Sequence, residues 1–259
     1  MPPKRNWHQL AETARTRVGV KLGVGVDSAK VCAAIDALIA LGEADAASSN
    51  CRTACSKGCS YCCHMRAVVT APEVLRIAAF IEETFSVEER KALDRRVAAT
   101  DEQTRGMSDE AWGAARVPCP LLVANECSVY SVRPLDCRAY NSRSVAACRD
   151  AFESYAEWDV PVDAEHQSSY KCVQAGLLYA LAGSGRSASL LELTAALRIL
   201  LEDPNAAVRW YAGENVFAAA ELAPDDPEQQ AFLPWTPSDS LRGAVDCHRV
   251  IPMDQERKP

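Results

Sequence analysis

The chain has 259 residues, 48% of them hydrophobic, so it can bury a large core without covalent staples. Its 28 basic and 35 acidic residues leave a formal charge of -7, which speaks against nucleic acid as the main partner. The start, MPPKRNWHQL, leads into no apolar run, and no stretch approaches the roughly 18–20 apolar residues of a membrane span. The expectation is a cytoplasmic protein, no membrane partner, and thiols kept reduced.

Residues 7 to 17 and 28 to 47 read as helices, the second rich in Ala and Leu with few breakers and with Cys32 placed in the core. Between them, Gly19-Val-Lys-Leu-Gly23-Val-Gly25-Val-Asp27 superficially resembles a nucleotide loop. It lacks the GxGxxG order and follows no strand, so it reads as a turn before a helix. Next comes CSKGCSYCC, Cys55 to Cys63, with four thiols in nine residues.

Thr70-Ala-Pro-Glu73 is a capping box with proline in the first turn, opening a helix to about Phe85. Ser86-Val-Glu-Glu89 repeats the signal for a charged helix to about residue 104. This helical pair is an insert whose closure should bring two cysteine groups together. In the second group, Leu121 to Val123 and Cys127 to Val132 flank Ala-Asn-Glu as a short hairpin, ended by Arg133-Pro134.

From about residue 163 the chain is helical again, with Ser189-Leu-Leu-Glu192 expected to cap an apolar helix that Asp203-Pro204 stops. Loops containing Pro224, Pro227, Pro234 and Pro237 lead into an irregular tail, and Trp210-Tyr211 and Trp235 read as packing aromatics. The expected fold is mainly α, a helical protein with a cysteine-rich metal-binding centre and a short β-hairpin. Its regions are 1–50 (helical), 51–150 (metal or cluster-binding, with the insert) and 151–259 (helical, with the tail), together one compact domain.

Nine of the twelve cysteines fall between residues 51 and 148, whereas Cys32, Cys172 and Cys247 stand singly and read as packing residues. In a reducing compartment, metal binding is the leading use for such density. Residues 51–66 sum to +3, through Arg52, Lys57 and Arg66. Residues 116–149 also sum to +3, so both cysteine segments are basic islands in an acidic chain. Basic neighbours offset the negative charge of thiolate ligands and favour the thiolate itself.

Adjacent cysteines point in different directions in most backbone conformations. Cys62 and Cys63 therefore fit best if each serves a different metal, or if one ligates and the other supports it. Gly58 lets the loop turn sharply and aim amide N–H groups at sulfur. All-thiolate ligation suits zinc or iron–sulfur and argues against magnesium, calcium or manganese. Spacing does not choose between zinc and iron. Of the lone histidines His8, His64, His166 and His248, only His64 is close enough in sequence to join a site.

Cys55-x3-Cys59-x2-Cys62-Cys63, followed by Cys-Pro-Leu, Cys-x-Val-Tyr, Arg-Pro-x-x-Cys-Arg and a further Cys, resembles the CxxCxxCC (YkgJ-like) cysteine-cluster family, described as zinc- or iron-chelating. The resemblance covers residues 51 to about 150. It implies metal ligands at Cys55, Cys59, Cys62, Cys63, Cys119, Cys127, Cys137 and Cys148, with Arg133, Pro134 and Arg138 as framework. Cys51 and His64 stand beside the motif. The implied cofactor is zinc or an iron–sulfur cluster, and the implied role is electron transfer or metal handling. A structural-zinc interaction protein and a cluster-dependent protein-modifying enzyme, as in flagellin lysine methylases, are the alternatives.

Overall fold

The computed structural model describes residues 5–48, 52–154 and 160–232. Among these the fold is mainly α, with two two-stranded antiparallel sheets. Cys51, Trp235, Pro234, Pro237, Cys247 and His248 lie outside the described residues.

The N-terminal helices α1 (Trp7–Gly19) and α2 (Ser28–Ala47) start where short polar side chains accept from the first turn. Asn6 Oδ1 accepts from Gln9 N at 3.0 Å, and Asp27 Oδ1 from Lys30 N at 2.8 Å. The glycine-bearing stretch between them is a turn, as read, with Gly25 at a φ of 66°. Cys32 is only half-buried on α2, contrary to the core placement expected from sequence: α2 turns its Val31, Ala34, Ile35 and Leu38 face inward instead.

After the cysteine loop come β1 (Val68–Val69), α3 (Ala71–Thr84), α4 (Val87–Thr104) and α5 (Asp109–Ala115). Both insert helices open with the expected polar caps. The Thr70 amide and hydroxyl donate to Glu73 Oε2, each at 2.8 Å, and Ser86 does the same to Glu89. Glu73 is fully buried and its other oxygen accepts from Leu135 N at 2.8 Å, so the cap also ties the insert to the second cysteine segment. Burial raises the Glu73 carboxyl above its usual range, against the pull of its three donors.

The hairpin is β2 (Leu122–Val123) and β3 (Glu126–Cys127), pairing Leu122 with Cys127 and Val123 with Glu126. Its turn is Ala124-Asn125, both at positive φ (50° and 63°), the two-residue geometry that matches strand twist. Glu126, expected in the loop, is thus in the strand, and residues 130–132 form a 3-10 turn, not a continued strand. Then follow α6 (Leu135–Ala139), α7 (Val145–Ser154) and α8 (Ala164–Gly183).

Ser189 does not cap the next helix. Leu191–Glu192 form β4, which pairs antiparallel with β1, and α9 (Leu193–Glu202) is capped by Glu192, whose carboxylate accepts from Thr194 N and Ala195 N. The sheet takes the residues that a Ser cap would have used. Asp203-Pro204 ends α9 as expected; α10 (Ala206–Tyr211) buries Trp210, and Pro227 opens the short helix α11 (Pro227–Phe232) instead of a loop.

The core lies where α8 crosses α1, α2 and α6. At the α1 crossing the backbones approach on Ala11, Ala14 and Gly176. A Cβ on Gly176 would lie 2.3 Å from Ala11 O and 2.6 Å from the Ala14 Cβ. Gly176→Ala should therefore force the helices apart and destabilise the fold by about 1–3 kcal/mol in chemical denaturation. Glu73→Gln should cost about 1–3 kcal/mol in the same experiment, because its amide nitrogen would face donors where a carboxylate oxygen now accepts.

Candidate metal centre

Each cysteine is carried by a short element hung on this frame. Cys55 and Cys59 lie on the loop before a 3-10 turn, Tyr61–His64, which holds Cys62 and Cys63. Gly58, at a φ of 92°, makes the bend between them in a region that side chains rarely adopt. Cys119 precedes β2, Cys127 ends β3, Cys137 sits on α6 and Cys148 on α7.

The insert closes as expected. Cys119 N donates to Cys63 O at 2.7 Å, joining the two cysteine groups through backbone. A cavity of about 80 Å³ opens beside this junction, and Cys59, Cys62, Cys63, Cys119, Cys127 and Cys137 all line it. Cys55 and Cys148 are not among its lining residues. Cys55 Sγ accepts from Ser142 N at 3.2 Å, just before α7, and α7 packs against the Tyr61–His64 turn through Phe152, whose ring lies 5.8 Å from Tyr61 and 4.8 Å from His64. His64 is not part of the cavity wall, and its Nδ1 is within 3.1 Å of Ser60 O. Cys172 is buried on α8, as read from sequence.

Among the described residues, no group of three or more His, Cys, Asp or Glu side chains stands ready to hold a metal ion. The thiols ring a chamber instead of closing on a point. Burial pushes Cys119 up to about 12, and Cys137 is held well above the ordinary thiol value by burial and by the charge of Asp136. Cys62 is also held well above it, chiefly by a hydrogen bond with the neighbouring Cys63 thiol. Such thiols carry protons at neutral pH, and four bare thiolates would repel one another. The donor set itself fits a thiophilic metal: six sulfurs face one cavity, and a metal that displaces their protons supplies the missing attraction.

Among the described residues, four of the eight basic residues of the islands, Lys57, Arg66, Arg138 and Arg149, form ion pairs. Arg66 binds Asp109 at 2.6 Å and Asp226 at 2.7 Å, Arg138 binds Glu43 at 2.6 Å, and Lys57 binds Glu126 at 3.2 Å. Arg133 lines the cysteine cavity and stacks 4.1 Å above the Tyr130 ring, and among the described residues its buried Nε has no hydrogen-bond partner. Its positive charge favours the thiolate at Cys62 and Cys127.

Sequence reading missed the support beneath Cys137. Asp136, its neighbour on α6, is buried and accepts from Lys171 Nζ of α8 at 2.6 Å; Lys171 also reaches Glu228 at 3.0 Å. Burial alone would depress the Lys171 ammonium, but Asp136 and Glu228 outweigh it and hold the group above its usual value. No amphipathic stripe could have flagged Lys171, because residues 168–178 of α8 are buried on every face.

Comparison with known proteins agrees with this geometry. Residues 54–158 match the CxxCxxCC family model, described as "Putative zinc- or iron-chelating domain". No curated protein and no solved structure matches the chain. The CxxCxxCC segment thus spans from the first cavity-side loop through α7, and it contains all eight cysteines named above. Among the described residues, no helix is long and apolar enough to cross a membrane.

Lys171→Met should strand the buried Asp136 carboxylate and lower stability by about 3–5 kcal/mol in denaturant titrations. Adding Asp136→Asn should recover part of that loss, giving a double variant more stable than the sum of the singles requires.

Proposed function

We propose that residues 54–158 form an all-thiolate metal centre, holding zinc or an iron–sulfur cluster through Cys55, Cys59, Cys62, Cys63, Cys119, Cys127, Cys137 and Cys148. The observation that carries this reading is the convergence of six of these thiols, from four separate elements, on one cavity. Zinc would supply a fixed tetrahedral cross-link, and an iron–sulfur cluster would add one-electron chemistry.

The role we assign is metal handling or electron transfer in the cytoplasm. Cys55 is exposed, which supports a centre that a metal donor or redox partner can approach. Arg133 supports the same reading, since a guanidinium beside sulfur offsets ligand charge.

Metal analysis of the anaerobically purified chain, with its visible absorption, tests the proposal and separates the metals: a coloured protein containing iron and sulfide, or a colourless one with bound zinc. Cys59→Ser, Cys62→Ser and Cys137→Ser should each lower metal content, because a hydroxyl is a poor substitute for a soft thiolate. Cys32→Ser and Cys172→Ser should keep it, although the buried hydroxyl at Cys172 costs about 1–3 kcal/mol of stability. Full metal content in all three ligand variants would refute the assignment.

A further inference from the structure

Cys148 lies in the second cysteine group along the chain but with the first group in space. Ala54 N donates to Ser142 O at 2.7 Å and Ser142 N to Cys55 Sγ at 3.2 Å, fixing Cys55 at the entrance to α7. α7, which bears Cys148, packs on the Tyr61–His64 turn through Phe152. On the other flank of that turn stand Cys119, bonded to the Cys63 carbonyl, Cys127 across the hairpin, and Cys137 on α6. Cys119 and Cys127 pack against the hydrophobic core, whereas Cys55 is exposed.

We propose that the eight cysteines form two separate four-thiol metal sites: Cys55, Cys59 and Cys148 with one of the pair Cys62-Cys63, and Cys119, Cys127 and Cys137 with the other. The inference rests on the metal-chelating reading above and deepens it, dividing one donor set into an outer and an inner site. Cavity lining separates Cys55 and Cys148 from Cys119, Cys127 and Cys137, which line the chamber; Cys59 lines it too, and is assigned by its thiol neighbours Cys62 and Cys148. Electrostatic neighbours give the same partition: the thiols acting on Cys55 are Cys62, Cys59 and Cys148, while those acting on Cys137 are Cys119, Cys62 and Cys127. Cys62 belongs to both neighbourhoods, as expected of a residue at the boundary. The Cys62 and Cys63 thiols touch where the two neighbourhoods meet, so the pair can supply one ligand to each site.

Zinc titration of the reduced, metal-stripped full chain, with bound metal counted by native mass spectrometry, tests the partition. Wild-type protein should take up two zinc ions. Cys55→Ser and Cys148→Ser should each leave one, as should Cys127→Ser and Cys137→Ser, and Cys55→Ser combined with Cys127→Ser should leave none. Cys55 is exposed, so its variant keeps the outer-site test available even if a buried replacement unfolds, and circular dichroism identifies any variant that does. A single zinc in the wild-type protein, or loss of all metal from Cys55→Ser alone, would overturn the two-site division and leave metal chelation standing. No zinc bound by the wild-type chain would overturn the two-site division, and the absence of iron and sulfide as well from the anaerobically purified chain would overturn metal chelation.

Discussion

The ion pair between Asp136 and Lys171 is the constraint on which the rest of the centre depends. α6 is only five residues long, too short to hold itself, yet it carries Asp136 and Cys137 into the cavity wall. Lys171 projects from the most deeply buried helix and gives that short element a fixed address; the amide of Val68, just after the first cysteine loop, also points to Asp136 at 3.5 Å. One carboxylate therefore relates both cysteine segments to the core. Desolvating two charges is expensive, and such pairs are best understood as fixing position more than adding net stability.

Around that pair the fold divides its labour. The α1–α8 crossing and its neighbours supply burial, and they do so with small residues and aliphatic side chains that carry no chemistry. The cysteine elements reach the core mainly through neighbours of their cysteines, such as Leu121, Val129, Leu135 and Ala139. They are loops, a tight hairpin, short helical turns and the ten-residue α7, held by caps such as Glu73 and by the β1–β4 pairing. A scaffold of this kind can hold thiols near one another without collapsing them into contact, and the remaining contraction is left to the metal.

Much of this was legible in the sequence wherever the signal was local. α2 runs over Ser28–Ala47, as its Ala-Leu composition and few breakers imply, and the two capping boxes of the insert sit where their residues announce them. The convergence of the two cysteine groups also followed, and Cys119 N bonded to Cys63 O closes the insert between them. Non-local choices were not legible. Ser189-Leu-Leu-Glu192 carries a valid capping signature, yet the pairing of Leu191 and Glu192 with Val68 and Val69 decides its structure. Cys148 belongs by spacing to the second group, and only the packing of Phe152 on Tyr61 and His64 sends it to the first. The basic islands were visible, but which arginines find carboxylates depended on distant residues such as Glu43 and Asp226.

The chain order of these contacts has a consequence for synthesis. A growing polypeptide emerges N-terminus first, so Cys55 to Cys63 leave the ribosome well before Cys137 and Cys148. The anchors come later still: Lys171 fixes α6, and Leu191 and Glu192 clamp β1. Nascent chains therefore pass through an interval in which a dense thiol loop is open and its frame is unfinished, during which oxidation or capture of an unintended metal competes with correct assembly. Early thiol exposure is built into the topology, and faithful loading depends on keeping that interval reducing until residue 192 has joined the sheet.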